Sequence, residues 1–260
     1  MNIVSFAESL AVKGVYHFTV KEAAVELRSS LVAVRAAIRR LRVKGRLATP
    51  LRGFHLIVPP EYRAIGCLPA DQFVPQLMSH LGLKYYAGLL TAAALHGAAH
   101  HAPMAFQVVT AENRPGLRCG RVRVEFVARS NAAEIPTVSI NTPRGVLLVS
   151  SPDATAFDLI GYPGHAGGLS NVTTVLAELV PLLDLGRLLA ETAHSPLPWT
   201  QRLGYLLELV EGIDLAAPLA DFVGARAREY VPLKPGKTVL DARRNKRWRL
   251  LINEPIEPDR

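Results

Sequence analysis

Cysteine is almost missing from this chain. Its 260 residues include only Cys67 and Cys119, too few for a disulfide framework or a zinc site of four thiolates. No uncharged run reads as a membrane span. The longest, 85–111, holds His96, His100, His101, Pro103 and Gln107, a polar load that a helix in lipid tolerates poorly. The first fourteen residues carry Glu8 and Lys13 without a basic start before an apolar run, so no secretory signal is read and the expected compartment is the cytoplasm. There is no G-x-x-x-x-G-K-[ST] phosphate loop and no Rossmann glycine set. Gly161, Gly164, Gly167 and Gly168, around Tyr162-Pro163, read as a connector.

What the chain does have is apolar residues in plenty, 49%, with 20% charged, enough for a real core and against disorder. The net charge of +8 is unevenly placed: +7 over 1–63, −3 over 64–233 and +4 over 234–260. Between 28 and 52 stand eight basic residues (Arg28, Arg35, Arg39, Arg40, Arg42, Lys44, Arg46, Arg52) and no acid. Such asymmetry is expected of a phosphate-binding head on a near-neutral body; its plainer explanation is a solvated basic helix face.

Local patterns favour the head. Val4, Ala7, Leu10 and Ala11 predict a first helix stopped by Gly14. Thr19-Val20-Lys21-Glu22 is a capping-box pattern opening a helix to about Leu27, and Ser29 or Ser30 is placed to cap the next. That helix, 31–43, carries Leu31, Val34, Ile38 and Leu41 on one stripe, leaving Val32, Arg35, Ala36, Arg39 and Arg40 on the flank and far side. Small residues near the start with arginines behind them suit a helix that approaches base edges. Residues 46–48 and 54–58 then form two arms of a hairpin around a turn at 49–53, ended by Pro59-Pro60. Three helices and a basic hairpin predict a winged helix-turn-helix domain over 1–62, with Arg28, Ser29, Ser30, Arg35, Arg39, Arg40, Lys44, Arg46 and Arg52 as DNA-binding residues. A helical module that binds protein is the competing reading.

After a linker marked by Pro59-Pro60 and the stretch 66–69, residues 69–260 are expected to form a second, larger α+β domain with a small sheet and a helical C-terminal half. Helices are predicted over 70–81 and 84–99, strands over 106–110, 121–128, 135–140 and 146–150, further helices from Ser151-Pro152-Asp153 onward, and a closing strand over 248–252. On 121–128, Val122, Val124 and Phe126 alternate with Arg121, Arg123 and Glu125.

Catalytic chemistry finds little support. His96 and His100 have the i, i+4 spacing of a helical zinc site, but Gly97 stands where a hydrolytic zincin needs Glu. Glu125-Phe126-Val127 offers Val where a metal-dependent nuclease needs Lys. Ser150, Ser151, Asp158 and His165 include triad types without nucleophile-elbow glycines, and Ser151 fits better as a helix cap. No catalytic residue, metal site or cofactor is expected. The cluster Arg243, Arg244, Lys246, Arg247 and Arg249, interrupted by Trp248, is either a second basic patch, with the indole stacking on a base or the charges meeting an acidic partner, or a charged strand edge with Trp248 and Leu250 turned inward.

The order of motifs resembles the AbiEi-type antitoxins of type IV toxin–antitoxin systems. The resemblance rests on Lys44-Gly45-Arg46-Leu47 with Gly53-Phe54, on the run Tyr85-Tyr86-Ala87-Gly88 through His96-Gly97, on Ser151-Pro152-Asp153-Ala154-Thr155-Ala156-Phe157-Asp158-Leu159, and on Gly167-Gly168-Leu169-Ser170-Asn171-Val172. It continues in Gln201-Arg202-Leu203-Gly204-Tyr205-Leu206-Leu207-Glu208, Val231-Pro232-Leu233, Arg244-Asn245-Lys246-Arg247-Trp248 and Asn253. It implies a non-enzymatic winged-helix regulator that binds inverted repeats in double-stranded DNA at its own promoter. It also implies counteraction of a nucleotidyltransferase-like toxin, with or without direct contact. The alternative is a metal-dependent nuclease or other defence enzyme brought to DNA by the winged helix.

Overall fold

The computed structural model describes residues 1–98 and 103–257. Over these the chain is mixed α+β, with ten α-helices and several sheets. It divides into two compact units: Met1–Ala87 with Met104–Ala133 and Ser139–Leu148, and Gly88–Pro103 with Glu134–Val138 and Val149–Arg260. The expected domain limits at 62 and 69 fall inside the first unit.

The first unit begins with α1 (Ile3–Val12), β1 (His17–Thr19), α2 (Val20–Glu26), α3 (Leu31–Val43), β2 (Leu47–Leu51) and β3 (Phe54–Ile57). Both halves of the capping box form: the Glu22 amide donates to Thr19 Oγ1 at 3.2 Å and the Thr19 amide to Glu22 Oε2 at 2.7 Å. Ser30, of the two serines considered, caps α3 by accepting from the Ala33 amide at 3.2 Å. Val34, Ile38 and Leu41 are buried, but Leu31 is 41% exposed, because in the first turn the apolar stripe has not yet reached its neighbours. The hairpin turn is tighter than expected: β2 runs through Thr49-Pro50-Leu51, Leu51 pairs with Phe54, and only Arg52-Gly53 remains as loop, with Gly53 at φ 88°.

The three strands pair in the order β1-β3-β2, antiparallel throughout. Every residue of β3 is buried. Ile57, with Leu47 on β2, packs into the cluster of Phe6, Phe18, Ala23, Val34, Ile38 and Leu41. Phe54, Leu56 and Val58 pack instead with Cys67, Leu68, Phe73, Leu77, Met78, Val108 and Phe126. A strand with core on both faces cannot alternate apolar and polar residues. It also makes Cys67 and Leu68, in the stretch expected to be linker, fully buried.

The rest of this unit holds a 3₁₀ turn at Ala70–Gln72, α4 (Val74–Leu81), β4 (Tyr85–Ala87), β5 (Phe106–Thr110), β6 (Leu117–Cys119) and β7 (Val122–Ala128), with most of β8 (Thr137–Thr142) and β9 (Gly145–Ser150). They form a six-stranded sheet in the order β6-β7-β5-β4-β9-β8, in which β5 and β7 are parallel and β4 and β6 pair antiparallel with β5 and β7. Two expected helices begin later than their sequence ranges. The helix read over 70–81 starts as a 3₁₀ turn, and the helix read from 84 begins as a central strand, since Tyr86 and Ala87 are fully buried between β5 and β9.

The second unit contains α5 (Leu89–Leu95), α6 (Pro152–Gly161), α7 (Leu169–Leu179), α8 (Leu185–Glu191), α9 (Leu197–Leu209) and α10 (Ile213–Arg226). A small sheet follows, β10 (Val231–Pro232), β11 (Arg243–Asn245) and β12 (Leu250–Ile252), in the order β10-β12-β11. Helix α6 is buried along nearly its whole length, and its small residues Ala154 and Ala156, like Ala92 and Ala93 on α5, are fully covered. Among the described residues no helix is long and apolar enough to cross a membrane.

Candidate nucleic-acid interface

Of the nine residues nominated from the sequence, Arg28, Ser29, Ser30, Arg35, Arg39, Arg40, Lys44 and Arg52 are exposed and Arg46 is half-buried. The spacing of 35, 39 and 42 on α3 sets three arginines on one flank of the helix, beside the buried stripe rather than opposite it. Arg35 and Arg42 join Lys21, Arg52, Thr19, Thr49, His55 and His80 around a cavity of about 630 Å³. Arg39 and Arg42 join Arg118, Thr49, Gly66, Cys119 and Gly120 around another of about 470 Å³. Neither lining includes an acidic residue. Arg42, Lys21 and Arg118 therefore belong to the basic surface although they were not nominated. The i, i+3/i+4 spacing from Arg35 signals Arg42, whereas Arg118 is brought in by the fold.

The remaining nominees are placed differently. Arg28 sits at φ 46°, the left-handed position that ends α2, with the Ser29 amide donating back to the Ala24 carbonyl at 3.1 Å. Arg46 donates to Glu8 Oε1 at 3.0 Å, so its charge is partly answered within the module. Arg40 and Lys44 line neither cavity.

His55 lies at the base of this surface. Its Nδ1 is 2.9 Å from Thr49 Oγ1, and its Nε2 is buried without a hydrogen-bond partner. Burial, reinforced by the Arg42 charge, lowers its pKa to about 4, so the ring is neutral at pH 7. His17, which stacks on Phe54 at 5.5 Å, is likewise lowered by burial.

The second basic patch has a different character. Trp248 is fully buried, its indole N–H donates to Glu208 Oε2 at 2.7 Å, and its ring covers Gly204, where a Cβ would collide with it. The indole therefore cannot stack on a base. Arg247 bridges to Glu208 Oε1 at 2.9 Å, and Arg244 and Arg249 lie over the Tyr230 ring at 5.4 and 5.5 Å. Arg243, Arg244, Lys246 and Arg247 remain exposed, with Arg243 and Arg244 on edge strand β11.

The motif residues that line neither surface are structural. Gln201 Nε2 donates to the carbonyls of Trp248 and Arg249, each at 3.1 Å, and Arg202 reaches the Pro232 carbonyl at 3.0 and 3.1 Å. Asn253 accepts from the Lys234 amide and donates to the carbonyls of Lys234 and Lys237. Ser151 caps α6, as expected, at 3.2 Å from the Ala154 amide. His96 donates through Nε2 to the Ser150 carbonyl at 2.7 Å, and α5 stops at Leu95, so it does not carry a zinc pair on its helix. His100 and His101 lie outside the described residues. Among the described residues no three His, Cys, Asp or Glu side chains group as a metal site.

Residues 86–209 match the family model of the AbiEi antitoxin C-terminal domain. Among curated proteins none matches the chain. Among solved structures it is similar to the crystal structure of the RV2827C protein from Mycobacterium tuberculosis, at 19% identity and a TM-score of 0.65, over 94% of this chain and 89% of that one. At that identity the likeness is one of fold.

Proposed function

We propose, from the match of residues 86–209 to the AbiEi antitoxin C-terminal domain, that the chain is a DNA-binding antitoxin of a type IV toxin–antitoxin system. It represses its own operon and counteracts a nucleotidyltransferase-like toxin without being an enzyme itself. The N-terminal module acts as a winged helix-turn-helix on inverted repeats in the promoter. The observation that supports this most is the arginine flank of α3: Arg35, Arg39 and Arg42 border two cavities lined without acid, one of them shared with Arg52 of the hairpin turn. In this reading α3 enters the major groove, its capped N-terminus and small residues near base edges, while Arg52 follows the sugar-phosphate backbone. The patch at Arg243, Arg244, Lys246, Arg247 and Arg249 meets nucleic acid or an acidic protein surface through charge alone, since Trp248 is enclosed.

The test is binding of the full chain to the DNA upstream of its own gene across a salt series, with scrambled DNA of equal length as control. Several phosphate contacts give affinity that falls steeply and linearly on a log–log plot, and sequence reading gives preference for the promoter. Co-expression with the product of the neighbouring reading frame tests the antitoxin role: restored growth supports it, and unrelieved toxicity removes it.

A further inference from the structure

The first unit brings its two cysteines face to face. The Arg121 amide donates to the Ile65 carbonyl at 2.8 Å, and a Cβ built on Gly120 would stand 3.0 Å from the Gly66 Cα. The turn at 120–121 therefore packs against the turn at 65–66, and Cys119 and Cys67, next to these turns, join one apolar cluster. A disulfide needs Cα atoms roughly 4.4–6.8 Å apart, which close packing of the two turns allows. Each thiol lies close enough to shift the titration of the other, and both are free.

Their surroundings differ. Cys67 is fully enclosed in the apolar cluster. Cys119 is 5% exposed and forms part of the wall of the 470 Å³ cavity with Arg39, Arg42 and Arg118. The neighbouring Cys67 thiol, the Thr49 backbone and the Arg42 charge lower its pKa, against the opposing effect of burial. Cys67 is pushed up by the same thiol contact and by burial. A thiol in electropositive surroundings with a route to solvent is a reactive one, and a buried neighbour in contact with it is placed to resolve it.

We propose that Cys119 and Cys67 form a redox modification site, in which Cys119 is the thiol that reacts with a hydroperoxide admitted through the cavity and Cys67 closes an intrachain disulfide. The Cys119 thiolate attacks the nearer peroxide oxygen; the O–O bond breaks, hydroxide leaves and takes up a proton as water, and Cys119 becomes a sulfenic acid. Cys67 sulfur then attacks Cys119 sulfur; the S–O bond breaks and the departing hydroxyl takes the Cys67 proton as a second water. Two thiols are oxidised by two electrons and one peroxide is reduced to two waters. The site does not depend on the DNA-binding reading.

The experiment treats the reduced full chain with equimolar hydrogen peroxide, followed by intact-mass measurement and peptide mapping. The expected product is lighter by two hydrogens, monomeric, cross-linked between 67 and 119, and restored by dithiothreitol. With peroxide and dimedone together, Cys67→Ser gains one adduct, on Cys119, while Cys119→Ser gains none on Cys67. A wild-type chain that keeps both thiols, or links only between molecules, overturns the proposal. Dimedone labelling of Cys67 in Cys119→Ser, with none of Cys119 in Cys67→Ser, overturns the assignment of roles. The wild-type mass decides even if a variant does not fold.

Discussion

In the first unit Arg35, Arg39, Arg42 and Arg52 stand around two cavities and make no salt bridge among the described residues, whereas in the second Arg187, Arg202 and Arg247 end on Asp153, the Pro232 carbonyl and Glu208. The same side chain thus serves two purposes. Where guanidinium groups meet protein partners they fasten loops and strands to helices. Where they have none they leave a surface of uncompensated positive charge, which folding does not need and an anionic ligand can use. Substitutions in the second unit should therefore be read in stability, and those on the α3 flank in affinity.

The largest effect expected is at Trp248. Trp248→Ala empties the space over Gly204 and removes the donor to Glu208 Oε2, and should lower the unfolding free energy by about 3–5 kcal/mol, measured by urea denaturation. Promoter affinity of the protein that remains folded should hardly change; a loss of affinity without loss of stability would break the comparison. Next come Arg35→Ala and Arg39→Ala, each expected to weaken promoter binding by about 1–3 kcal/mol if the side chain reads a base, with an unaltered urea midpoint. Unchanged footprints for both would remove α3 as the reading helix.

The third effect concerns pH. His55 has its folded pKa lowered to about 4, below the ordinary 6.5, so between these values the unfolded chain binds more protons. Its contribution is fully present above pH 6.5 and is lost as pH falls toward 4, by about 1–2 kcal/mol after allowance for solvent. His17 acts in the same direction. His55→Gln should flatten part of the slope between pH 7 and pH 5 in urea titrations, and an identical slope would show that His55 is not its source. Smallest is Arg46→Ala: the exposed pair with Glu8 is worth roughly 0–1 kcal/mol, so a thermal-melt shift larger than a few degrees would give Arg46 a structural part it lacks here.

Local rules were legible in the sequence and long-range ones were not. The capping box at Thr19, the Ser30 and Ser151 caps and the α3 stripe each follow from residues three or four positions apart, and the hairpin from two arms separated by one short turn. Tyr85–Ala87 defeats the helical reading because its neighbours in the sheet are distant in sequence, and burial between them overrides the propensity of the alanine-rich run that follows. Leu31 completes a stripe by spacing yet stays 41% exposed. At the surface, the pattern on α3 is periodic and could be read. The inward turn of Trp248 depends on Gly204, and the meeting of Cys67 with Cys119 on a glycine pair at 66 and 120; neither has a local signature.

Strand β3, with core on both of its faces, also sets how the first unit comes apart. Its amides are screened from either side, so they should exchange hydrogen with solvent only when the helices and the larger sheet have both let go. The N-terminal module would then melt together with that sheet, in one step, and Leu56 would be among the last amides in the unit to take up deuterium.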